Sequence, residues 1–153
     1  MSTDTYLNIA NNPVGKAVAK RVGLPTPPRL RRYEPGQGLL DGPALVGAAA
    51  GGRMDETVKA VLADTHVSVE TEHAEDSDDR YAAIIFDATG ISDPAELREL
   101  YDFFHPVARS LRTCGRMVVV GTTPNLVKNP AVATAQQGLA GFPRPLAQEI
   151  GSV

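Results

Sequence analysis

The chain has no tryptophan, one cysteine (Cys114) and three histidines (His66, His73 and His105) among its 153 residues. A lone thiol cannot close an internal disulfide, which fits a reducing, cytoplasmic compartment. The histidines are scattered and stand at no metal-ligand spacing, so zinc chemistry is not expected. Long apolar runs are missing too. None approaches the ~20 residues needed to cross a bilayer, and Met1 to Asn12 has no basic patch ahead of an apolar stretch, so neither a membrane span nor a signal peptide is expected. Positive charge is not in excess. A net charge of −3 gives no electrostatic footprint for nucleic acid, and the one basic cluster, Arg29, Arg31 and Arg32, lies beside prolines and reads as a solvated linker.

What is present is the material of one soluble α/β domain: 42% hydrophobic and 22% charged residues in a chain long enough to bury a core. Asn12-Pro13 reads as an N-cap with proline at the first helical position, and Gly23 as the stop of a short helix. The segment from Leu24 to Gly42 is rich in proline and glycine and reads as an irregular tether. Residues 1–42 are therefore expected to form a helical arm and linker, and residues 43–153 the domain proper.

Within that domain, Ala44 to Val46 reads as a strand and Gly47 to Gly52 as a tight turn. Met54, Val58, Val61 and Leu62 form a helical stripe, and His66 to Glu70 alternates as a second strand. The acidic stretch Glu72 to Arg80 reads as a loop. Tyr81 to Phe86 is nearly continuous in apolar character, as expected of a buried central strand in a parallel sheet. Asp93-Pro94 with Glu96 opens a helix whose apolar face is Leu97, Leu100, Tyr101 and Phe104. Pro106 is expected to bend it or to begin a second helical piece reaching Leu111, Gly115 to end that region, and Met117 to Val120 to be the fourth strand. Ala131 to about Ala140 reads as helix, with Pro143 and Pro145 ending or kinking it. The order predicts a three-layer fold with a mostly parallel sheet in the order 2-1-3-4, because the acidic loop leaves no room for a further helix and strand before Tyr81.

From Ala44 onward the sequence resembles the short-chain dehydrogenase/reductase family. Gly115-Arg116-Met117-Val118-Val119-Val120-Gly121-Thr122 stands where the family has Gly-Arg-Ile-Val-x-x-Ser-Ser, and Asp87-Ala88-Thr89-Gly90 stands for Asn-Asn-Ala-Gly. Gly138-Leu139-Ala140-Gly141-Phe142 with Arg144 and Leu146 to Glu149 is similar to the family's Gly-Leu-x-Gly-Phe-x-Arg-x-Leu-Ala-x-Glu, a stretch that belongs to a long helix there. Leu30-Arg31-Arg32-Tyr33, after a helix and Gly-Leu-Pro, resembles the start of large two-domain β-ketoacyl-carrier-protein reductases, in which a silent flavodoxin-like domain precedes the working one. The family's Thr-Gly-x-x-x-Gly-x-Gly turn survives only as Val46-Gly47, Gly51 and Arg53.

The resemblance implies where chemistry would stand. The family's proton-donating tyrosine falls on Val132, its lysine on Gln136 and its serine on Thr122. Valine has no proton to give, and glutamine has no charge with which to lower a phenol's pKa. No catalytic residue is therefore expected in this chain. Gly47, Gly51, Gly52 and Glu70 are candidates for a vestigial dinucleotide site: glycines for close approach of a phosphate, and Glu70 for a ribose. A flavin loop lacks its hydroxyls, since Ala48-Ala49-Ala50 supplies none. Asp87 with Thr89 at a strand's C-terminal end is weak evidence for an acid/base or magnesium site, since capping the following turn is the commoner role.

The resemblance thus implies a non-catalytic N-terminal domain of a 3-oxoacyl-ACP or -CoA reductase of fatty-acid biosynthesis, serving domain or subunit contacts and lacking its last strand. The chain itself would carry no cofactor. The parent would use NADH or NADPH on an acyl-ACP or acyl-CoA, and the partners would be a C-terminal reductase domain or further copies in an oligomer. The alternative is a free-standing nucleotide- or acyl-CoA-binding module.

Overall fold

Seven consecutive buried residues from Tyr81 to Asp87 make a strand that has to lie between two layers, and the fold is built around it. The computed structural model describes residues 12–23, 31–73 and 80–150. Two units separate, residues 1–35 and residues 36–153. The first holds helix α1, Pro13–Val22, with the Asn12 side chain accepting from the Val14 N–H and Gly23 closing the helix in the left-handed region. Arg31 to Gly42 run without regular structure. Arg29 and the stretch 24–30, like the acidic residues 74–79, lie outside the described residues.

The second unit contains strands β1 (Ala44–Ala48), β2 (Val69–Glu70), β3 (Tyr81–Asp87) and β4 (Leu111–Val120). All pair in parallel, in the order β2-β1-β3-β4, as expected from the sequence. Its helices are α2 (Asp55–Asp64), α3 (Arg98–Val107), α4 (Pro130–Gly138) and α5 (Pro143–Ile150). Leu62 of α2 packs with Ala44, Val46, Ala83 and Ile85 on one face of the sheet. Leu100, Phe104, Ala135 and Leu139 pack with Leu45, Ile84 and Phe86 on the other. The connection through α2 moves to one side of the central pair and that through α3 to the other. Helices on opposite faces are what one handedness of crossover then requires.

Several boundaries differ from the sequence expectations, each for a local reason. β1 runs on through Gly47, because Gly47 and Ala48 still pair with Phe86 and Asp87. β2 starts only at Val69. Residues 65–67 are used to close α2, with His66 at φ 59° and the Val67 N–H donating to the Leu62 carbonyl. β4 begins at Leu111 rather than after Gly115. Between its pairings Tyr81↔Leu111 and Ala83↔Arg116 it carries a wide bulge, where Cys114 has φ 65°. The helix expected to reach Ala140 gives way at Leu139–Gly141 to a 3-10 turn. Pro143 then opens a new helix. Both Pro143 and Pro145 fall in its first turn, where N–H groups have no intrahelical partner to lose.

Candidate functional site

In an open parallel sheet, ligands bind beyond the carboxyl ends of the strands where the order reverses, here between β1 and β3. Two loops meet there, Ala49 to Met54 after β1 and Ala88 to Asp93 after β3. The start of α2 faces the same place. Its cap position holds Met54, which has no side-chain oxygen, so the orphan N–H groups of the first turn need a partner from elsewhere.

Asp87 supplies it. The carboxylate is fully buried, and its Oδ2 accepts from the N–H groups of Met54 (2.6 Å) and Asp55 (3.0 Å). Its Oδ1 accepts from the Thr89 N–H (3.0 Å) and hydroxyl (2.6 Å). Burial alone would raise its pKa, but the Thr89 hydroxyl and the three N–H donors outweigh that and hold it below the usual carboxylate range. Asp87 therefore does cap its own following turn, and it also closes a helix that begins 32 residues earlier in the chain. The missing cap at Met54 was the signal in the sequence that a distant oxygen had to arrive.

A second carboxylate does the same on the first loop: Glu99, on α3, accepts from the Ala50 N–H at 3.0 Å. Arg53 then spans the crevice. Its N–H donates to the Thr89 hydroxyl (2.9 Å), and its guanidinium donates to the Thr89 carbonyl (3.0 Å) and to the Thr122 hydroxyl (2.6 Å). The place where a dinucleotide would set its pyrophosphate is thus occupied by the protein's own carboxylates, with an arginine across it.

Of the candidate glycines, Gly51 is the one whose backbone needs glycine's freedom, at φ 73° and with open space around it. Gly47 does not face the crevice: a Cβ there would meet the Phe103 ring, so it allows α3 to lie close on the sheet. At Gly52 a Cβ would stand 2.7 Å from Asp87 Oδ2, so this glycine makes room for the carboxylate. Glu70 lies beside Leu45 in register, at the other end of β1 from the crevice, and its carboxylate accepts from the Tyr81 hydroxyl at 3.1 Å. The structure therefore brings Gly51 and Gly52 to one place and keeps Gly47 and Glu70 out of it.

The positions aligned with reductase chemistry are also engaged. Gln136 is buried and satisfied at both ends of its amide. Oε1 accepts from the Thr122 N–H (2.6 Å), and Nε2 donates to the carbonyls of Ala88 (2.9 Å) and Ile91 (2.8 Å). It clips α4 to the loops after β3 and β4. Val132 is half-buried one turn earlier. Among the described residues no group of three or more histidine, cysteine or acidic side chains stands ready to hold a metal ion. An ionised Asp87 held below the usual carboxylate range is a weak base, and both its oxygens already accept from donors of the protein. A scan of protein-family models gives no match to this chain, and a search of curated proteins gives none either.

Proposed function

We propose that the chain is a non-catalytic α/β domain of a β-ketoacyl-ACP or -CoA reductase, whose role is to dock against the reductase domain or against further copies. The observation that carries the reading is the double use of Asp87. It fills the helix N-terminus that a cofactor phosphate would need, while Gln136 fixes the place of the family's lysine as a neutral clip. A domain relieved of catalysis is free to satisfy its own amides in this way.

The alternative, a nucleotide- or acyl-CoA-binding module, requires Asp87 to leave four donors and Arg53 to swing out before a phosphate enters. The test pairs two measurements on the same sample. With NADH or NADPH and a ketoacyl substrate, no turnover above background is expected, whereas a β-ketoacyl reductase domain added in trans is expected to bind. Turnover by the chain alone, or no affinity for that domain, overturns the reading.

A further inference from the structure

An aspartate can react with its own backbone when its carboxyl carbon and the N–H of the next residue come within reach and that N–H is unoccupied. Several aspartates of the domain are barred from this. The N–H after Asp87 donates to the Val120 carbonyl, and the one after Asp64 to the carbonyls of Val61 and Leu62. Asp93 is followed by Pro94, which has no N–H to offer. Asp41 stands apart. It is followed by Gly42, the single Asp-Gly pair in the sequence, in the irregular stretch just ahead of β1. Its side chain is 77% exposed, and the Gly42 N–H has no acceptor among the described residues. Gly42 has φ 141°, which a side chain would disfavour, and its bare Cα leaves the amide nitrogen open to approach.

One guanidinium lies over this pair. Arg112, in the bulge of β4, donates from Nη1 to the Asp41 carbonyl, and its Nη2 stands 3.9 Å from Asp41 Oδ2. A Cβ on Gly42 would run into the same guanidinium, so glycine is also what lets it in. When the Gly42 amide gives up its proton, the negative charge is shared with the Asp41 carbonyl oxygen, the atom that Arg112 holds. When the nitrogen adds to Cγ, charge gathers on the carboxyl oxygens, on the side of Nη2. A donor fixed where charge develops lowers the barrier to the step that develops it.

We infer that Asp41-Gly42 is a site of self-modification, at which Arg112 promotes conversion of Asp41 to isoaspartate. The Gly42 nitrogen bonds to Asp41 Cγ; the carboxyl loses a hydroxyl and the amide its proton, together one water. Water then opens the succinimide at the former peptide carbonyl carbon and restores the mass. The main chain now runs through Cβ and Cγ, one atom longer three residues ahead of β1. A carboxylate stands where Arg112 met a neutral carbonyl, so the guanidinium holds the product by a charge pair as well.

The experiment holds the full chain at neutral pH over weeks, both folded and in urea. Isoaspartate is counted by methylation with an isoaspartate-specific methyltransferase and placed by mass spectrometry of proteolytic fragments. In the folded chain it is expected at residue 41 ahead of every other aspartate. Arg112→Ala, with native circular dichroism, forms it about fivefold more slowly, as for loss of one ordinary hydrogen bond in the transition state, and the two chains match in urea. Arg112→Gln, which keeps most of the stem without the charge, slows it in the same direction. Equal or faster conversion in either variant overturns the inference, since losing a contact that merely anchored the loop would loosen it and speed the reaction. Isoaspartate appearing first at another aspartate, or a difference that persists in urea, overturns it as well.

Discussion

A buried carboxylate is stable only when donors replace the water it has given up, and Asp87 has four of them. Replacing it by alanine strands two helix N–H groups and those of Thr89, so Asp87→Ala is expected to cost about 3 kcal/mol or more in urea unfolding. The pH dependence follows from the direction of its shift. The folded-state pKa lies below the unfolded one, so the carboxylate contributes stability above the unfolded value, and this is lost as pH falls through the folded value. Urea midpoints taken from about pH 7 to pH 2 should fall on the acid side in the parent, with a flatter acid limb in Asp87→Asn. Gln136→Lys makes a complementary test. A lysine ammonium at this place would be a buried charge against the Thr122 N–H, and we expect a loss of about 3 kcal/mol and no ketoacyl reduction, also with Val132→Tyr.

At this scale the sequence shows which residue types stand at 132 and 136, not what they touch. The partners of Gln136 are backbone carbonyls 48 and 45 residues away, and backbone atoms leave no mark in a residue pattern.

Among the elements, those with continuous or strongly periodic apolar character were legible, and those set by termination were not. β3 could be read because its burial follows its composition; α3 could be read in part, since Leu100 and Phe104 are buried as expected, whereas Tyr101 is exposed and Pro94–Leu97 form a 3-10 turn ahead of the helix. β2 begins late because α2 needs residues 65–67 to finish, and β4 begins early because its bulge lets Leu111 pair before Cys114 turns the chain. The prolines of α5 looked like breakers because their position within the helix is decided by where the preceding 3-10 turn ends. One element contact can be tested directly. Gly47 brings α3 onto the sheet through Phe103, so Gly47→Ala should cost about 1–3 kcal/mol by overpacking, measured as a shift in unfolding midpoint. The same change at Gly51 meets open space but forces alanine to adopt a positive φ. Its cost of about 1 kcal/mol is therefore one of backbone strain.

For the whole molecule, the strand order 2-1-3-4 was legible from the alternation of elements and from the short acidic stretch between Glu70 and Tyr81, which has no room for a helix and a strand. Among the described residues, both hydrophobic clusters are built from residues between Leu40 and Leu146. A chain lacking residues 1–35 should therefore still unfold in one cooperative transition, within a few degrees of the parent Tm by calorimetry. Loss of that transition would mean that the arm belongs to the core.

The internal cap at Asp87 also sets how the domain responds to its surroundings. Folds that leave a helix start open gain stability from whatever anion fills it, so their folded fraction follows the concentration of that ligand. Here the anion is covalently part of the chain and always present at full occupancy. The melting curve should then be indifferent to added phosphate or nucleotide, and the domain would keep one constant stability while metabolite levels around it rise and fall.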